Sequence, residues 1–252
     1  MKATSLFVAA ACFSFTPATL LHADEKKNIL LIAGKPSHGR GAHEHNAGVQ
    51  LFAKCLNEGA ADRVNVKFHL NAEWPAANEI SAADTILIYA DGFTGHPALQ
   101  SDHLEQLRAA TRRGCGFLAI HWATEVPADQ GGAEFLEWMG GYCEPFWSVN
   151  PHWTADFQSL PPHPITSGVK PFSTLDEWYF HMRFRPEMQG VTPLLTALAP
   201  DSTMQRPDGM RSGNPAVRKA VADKVPQHMA WAAERPGGGR GFGFTGGHFH
   251  KG

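Results

Sequence analysis

Gly114-Cys115-Gly116-Phe117-Leu118-Ala119-Ile120-His121-Trp122 reads as a buried central strand that delivers one histidine at its carboxyl end. The apolar run from Phe117 to Ile120 lies between a glycine pair and a polar turn, the pattern of a parallel strand covered on both faces. Ligands of open α/β sheets bind in the crevice outside the carboxyl ends of the strands, so His121 is expected at the mouth of that crevice. The competing reading is a hydrogen-bonded histidine buried at a strand end.

Working outward, the flanking segments repeat the pattern. Asn28 to Gly34 is a first buried strand, followed by a loop, Lys35 to His45, that holds His38, His43 and His45 just past the strand's end. Val49, Phe52, Ala53 and Leu56 then fall at helical spacing and stop at Gly59. Val64–Leu70 and Thr85–Ala90 read as strands, and Asp91 opens another crevice-side loop. A helix carrying Leu104, Leu107 and Ala110 is expected to be capped by Ser101 and to end at Gly114. The order β-α-β-link-β-α-β predicts a mostly parallel sheet with helices on both faces.

Beyond His121, a short helix from Gly132 to Met139 leads into an aromatic and proline-rich stretch, expected to form an extended β insertion over the crevice. Thr174 to His181 and Gly190 to Leu198 read as strands, and Ser202 to Lys224 as a long polar loop. The chain closes with a hairpin whose turn is Pro236 to Arg240, and whose last strand breaks into glycines before His248 and His250.

The amino terminus has the features of a secretory signal peptide. Lys2 precedes an apolar segment from Leu6 to Phe15, and Leu20-Leu21-His22-Ala23 precedes a charged start, so cleavage after Ala23 and an exported, periplasmic or extracellular protein are expected. Residues 24–252 then form a single domain. A formal net charge of −2, from 22 basic and 24 acidic residues, provides no footprint for nucleic acid or anionic membrane. No later stretch is long enough to span a bilayer. Cys55, Cys115 and Cys143 have no metal-ligand spacing and are expected as buried thiols. The 14 histidines and seven tryptophans are the compositional anomaly.

These segments together resemble the ThuA-like (trehalose utilisation) family, in the secreted form common among planctomycete-type bacteria. The resemblance is carried by Ser37-His38-Gly39 through His43-Glu44-His45, by Ala119-Ile120-His121, by His163-Pro164-Ile165-Thr166-Ser167-Gly168, by Asp176-Glu177-Trp178-Tyr179 and by Phe244-Thr245-Gly246-Gly247-His248. It implies a flavodoxin-like sheet similar to that of class I glutamine amidotransferases, and a role in carbohydrate utilisation. Relatives continue past the final histidines into a helix that packs on the sheet, so the chain is expected to lack that helix. An amidotransferase needs a cysteine at the strand-to-helix turn. Here His121 stands there and Cys115 lies at the wrong end of the strand, so glutaminase chemistry is not expected.

The leading expectation is a hydrolase or lyase acting on a glycoside or 3-keto sugar. His121, His248 and Glu177 are the expected catalytic groups, and His38, His121 and His248, with Glu177 as a further candidate, the expected ligands of a divalent metal such as zinc. His121 and His248 as base and acid without metal is the other version. His43, His45, Asp91, Trp122, Glu125, Trp153, His181 and His250 are expected to bind the sugar, and no nucleotide cofactor is expected. A two-carboxylate glycosidase is less well supported, because a strand would point Asp176 and Glu177 to opposite faces and leave Glu125 to supply the second carboxylate. The alternative from another class is a non-catalytic sugar-binding module, with Trp122, Trp147, Trp153 and Trp178 as stacking platforms.

Overall fold

The computed structural model describes residues 25–250. The expected leader and its cleavage after Ala23 lie outside the described residues. A seven-stranded sheet organises the molecule. Its strands are β1 (Lys27–Ala33), β2 (Val64–His69), β3 (Thr85–Tyr89), β4 (Gly116–Ile120), β9 (Val191–Ala197), β10 (Gln227–Glu234) and β11 (Arg240–Phe244), in the order β2-β1-β3-β4-β11-β10-β9; β5 (Gly141–Tyr142) and β8 (Arg183–Phe184) form a small antiparallel pair outside it. Neighbours from β2 through β11 pair in parallel, whereas β10 runs antiparallel to both β11 and β9. This is the expected mostly parallel α/β sheet.

Both faces of β4 are used. Phe117 and Ala119 face a core shared with α3 (His103–Arg112) and α4 (Ala133–Met139), through Leu107, Phe135 and Trp138. Ile120 points the other way, into a core where Leu31 and Tyr89 meet Val49 and Ala53 of α1 (His45–Gly59). A strand buried on both sides cannot slip register without exposing one set, so the position of His121 is strongly determined.

Several expectations are corrected. The link before β3 contains a short helix, α2 (Ala77–Ala82). Ser101 does not cap α3: it takes a left-handed φ of 49° and its hydroxyl turns to Asp102. The strand expected from Thr174 to His181 is β7 (Phe172–Asp176), which stops at Asp176 and pairs antiparallel with β6 (Trp153–Phe157). The region 202–224 is not all loop, because α5 (Pro215–Ala222) buries Val217 and Val221, four residues apart, and is capped by the Asn214 side chain on the Val217 amide. Cys115 and Cys143 are buried thiols as expected, but Cys55 is exposed, since it falls on the outer side of α1. No helix among the described residues is long and apolar enough to cross a membrane.

Candidate functional site

The segments that follow β1, β3, β4 and β11 converge at the carboxyl ends of those strands, and the end of β7 joins them. His121 follows β4 directly and has a left-handed φ of 57° before a short 3-10 turn to Thr124. Such strained strand-to-helix turns are where α/β enzymes present a nucleophile; this chain presents a fully buried imidazole instead. The loop after β1 and the segment after β11 are tied together: the His43 amide donates to the His248 carbonyl at 3.1 Å and the His250 amide to the Gly41 carbonyl at 2.9 Å. Asp176, at the end of β7, accepts from the amides of Gly247, His248 and Phe249 at 2.6, 3.0 and 3.2 Å. Its neighbour Glu177, beyond the strand, is thereby turned toward the histidines.

The result is a cluster of His43, His121, Glu177 and His248, whose ligand atoms lie within 4.8 Å of one another. His43 Nε2 is 2.9 Å from His248 Nδ1 and 3.1 Å from His121 Nε2. Glu177 Oε2 is 3.0 Å from His248 Nδ1 and 3.5 Å from His121 Nε2. The outer ring nitrogens determine the tautomers. His121 Nδ1 donates to the Thr245 carbonyl at 2.8 Å, and His43 Nδ1 donates to Asp91 at 3.0 Å. Both rings, when neutral, therefore point bare Nε2 lone pairs at each other.

Burial acts against charge on two of these rings. It lowers the pKa of His43, and it lowers that of His248 to about 4 even though Glu177 opposes the shift. For Glu177 burial works in the opposite direction, toward the neutral acid. Interaction with His121, ahead of that with His248 and His152, overcomes it and holds the carboxyl below its ordinary value. Asp91 is likewise held low against burial by hydrogen bonds from His43 and Ser37.

The expected metal set of His38, His121 and His248 is thus altered in one member. His43 occupies the inner position, while exposed His38 stacks on it with ring centroids 3.6 Å apart and groups with His43 and Asp91. His45 is buried against Asp91, 3.7 Å away, and its other nitrogen donates to the Lys35 carbonyl. Trp122 lies edge-on to His43, 5.8 Å between centroids, and His250 borders the site through Tyr89.

Three expected sugar contacts are instead structural. Trp153 is buried in a second core and donates to the Trp178 carbonyl. His181 donates to the Trp147 carbonyl, and Glu125 is fully buried in a two-pronged ion pair with Arg211. Sequence reading missed Asp176 as the clamp on the final loop and did not select Asn150 or His152, which flank Glu177 at 2.9 and 3.7 Å. Their one signal was position, in the Asn150-Pro151-His152 turn ahead of β6.

A mostly parallel, doubly covered sheet with an imidazole at its strand-to-helix elbow defines a flavodoxin-like α/β protein with a histidine-rich site at the strand ends. The chain belongs to the ThuA family, described as trehalose utilisation, whose pattern matches residues 29–251. Among solved structures it is similar to a ThuA-like protein from Bacteroides uniformis, with 15% identity and a TM-score of 0.59 over 94% of this chain and 87% of that one. A ThuA-like protein from Parabacteroides merdae aligns with 14% identity and a TM-score of 0.50, over 88% and 79% of the two chains. No curated protein matches this sequence.

Proposed function

We propose that the cluster of His43, His121, His248 and Glu177 binds a divalent transition metal such as zinc. In this reading the protein is a hydrolase or lyase acting on a glycoside or 3-keto sugar. The proton count at the cluster carries the metal assignment. Four ligand atoms converge, and the Nε2 lone pairs of His43 and His121, left bare by the outer hydrogen bonds, face each other at 3.1 Å. A cation between them removes the repulsion. A tetrahedral ion with bonds of about 2.0–2.1 Å separates its ligand atoms by roughly 3.3–3.4 Å; four of the six separations here run from 2.9 to 3.5 Å. Asp91 and the Thr245 carbonyl, on the far nitrogens of two rings, are the outer partners that metal-binding histidines ordinarily have.

Held by His43, His121, His248 and Glu177, a divalent metal would supply Lewis acidity to a sugar carbonyl or a water molecule admitted as a further ligand. The chain's own contribution is proton handling. Glu177 is ionised at neutral pH, and its Oε1 faces a cavity beside Asn150 and His152, where it can take a proton from water or from a carbon next to a ketone. His152, half exposed, is placed to pass that proton to solvent. The sugar-binding-module reading is weakened because Trp153 and Trp178 are buried and offer no stacking face.

Elemental analysis of the chain prepared without a histidine tag tests the proposal. About one equivalent of metal is expected, lost in His43→Ala and in His121→Ala and retained in His250→Ala. A protein that stays metal-free after incubation with zinc would overturn it.

A further inference from the structure

Beside Glu177 lies a cavity of about 390 Å³, also lined by Asn150, His152, Ser202, Thr203 and Arg206. That volume is within the range of small-ligand clefts, about 300–1,000 Å³. Its wall contains no aromatic carbocycle and only one apolar residue, Pro151, so a sugar bound here is held by polar groups rather than by stacking.

Arg206 is the unusual member. Its Nη2 donates to Asn150 Oδ1 at 3.2 Å, while Nη1 is shielded from solvent and has no hydrogen-bond partner. Arg108, Arg183, Arg211 and Arg218 are each paired with a carboxylate. Among the described residues, Arg206 makes no such pair. A half-buried guanidinium without a carboxylate partner is costly, and a carboxylate in the cavity that Arg206 lines would complete its planar fork. Asn150 sets the distance from this charge to the reaction centre, because its Nδ2 donates to Glu177 Oε1 at 2.9 Å. Arg206 and Glu177 are therefore held at the two ends of one amide.

We propose that this cavity is a substrate subsite for an acidic sugar, whose carboxylate is bound by Arg206 while the ring is presented to Glu177. The inference rests on the proposed function only in taking Glu177 as the reacting end.

The test titrates D-glucuronate and D-glucose, which differ by a carboxylate in place of a hydroxymethyl group, into the full chain by calorimetry or saturation-transfer NMR. Glucuronate is expected to bind at least tenfold more tightly, with the preference shrinking as salt rises. Arg206→Met is expected to bring glucuronate down to the level of glucose, and Arg206→Lys to retain part of the preference. Equal binding of the two sugars, binding of neither, or a preference unchanged in Arg206→Met would overturn the inference. If Arg206→Met does not fold, the sugar pair on the unmodified chain still decides. Metal content measured on the same samples separates the two readings: a metal-free protein that selects glucuronate removes the metal and leaves the subsite, and a metal-bound protein without the preference does the reverse.

Discussion

His121 carries backbone strain as well as chemistry. A non-glycine residue in the left-handed region costs roughly 1–2 kcal/mol, and histidine tolerates it better than most. Glycine ordinarily destabilises a protein by about 0.5–1 kcal/mol relative to alanine. At φ 57° the order is expected to invert, with His121→Gly more stable than His121→Ala by about 1 kcal/mol in urea unfolding. Both variants delete the ring, so the difference isolates the backbone. Equal midpoints would mean that the turn relaxes once the imidazole is gone. The histidine itself was legible in the sequence, because a buried apolar run ending in His121 predicts a residue at a sheet crevice. Its conformation was not, since no neighbouring residue type demands a positive φ there.

At the scale of elements, β7 and the segment after β11 act as a unit through Asp176. Its carboxylate satisfies the Gly247, His248 and Phe249 amides, which no strand or helix pairs. Asp176→Ala is expected to cost about 2–4 kcal/mol, because three amide donors lose their carboxyl partner at once. It should also lower the metal content although Asp176 supplies none of the four donor atoms. Urea unfolding and elemental analysis check the two effects, and a variant that loses stability but keeps its metal would show that the loop holds His248 without the clamp. In the sequence Asp176 and Glu177 looked like adjacent strand residues on opposite faces. The separation is real, but it arises because β7 ends between them, and strand ends depend on pairing with β6 that residue types do not encode.

The pH dependence of stability belongs to the whole molecule, and His96 dominates the part that can be assigned away from the site. It is fully buried, donates from Nε2 to the Ala123 carbonyl at 3.0 Å, and accepts the Ala98 amide at Nδ1, also at 3.0 Å. Burial lowers its pKa from 6.5 to about 4, against the opposing effect of the Ala123 carbonyl. Between these values the unfolded chain binds a proton that the folded chain does not, so stability is complete above pH 6.5 and falls as the pH drops toward 4. The slope from this residue is up to about 1.4 kcal/mol per pH unit. Denaturant unfolding at pH 7, 5.5 and 4.5 should show that decline, reduced by a similar amount in His96→Gln; an unchanged slope in the variant would assign the effect elsewhere. The sequence by itself determined the seven strands of the main sheet, the helices α1, α3 and α4, the parallel character of the sheet and the placing of His121 and His248 at strand ends, because hydrophobic periodicity is a local property; the short α2 and α5 were too brief to show it. Only the tertiary structure decided that His43 rather than His38 joins them, that Glu177 completes the set, that Trp153 and Glu125 are buried, and that His181 turns to the Trp147 carbonyl. Those outcomes depend on which side chains meet across 25 to 205 residues of chain, and the hydrogen-bond partners that orient each ring come from segments whose contact no local pattern announces.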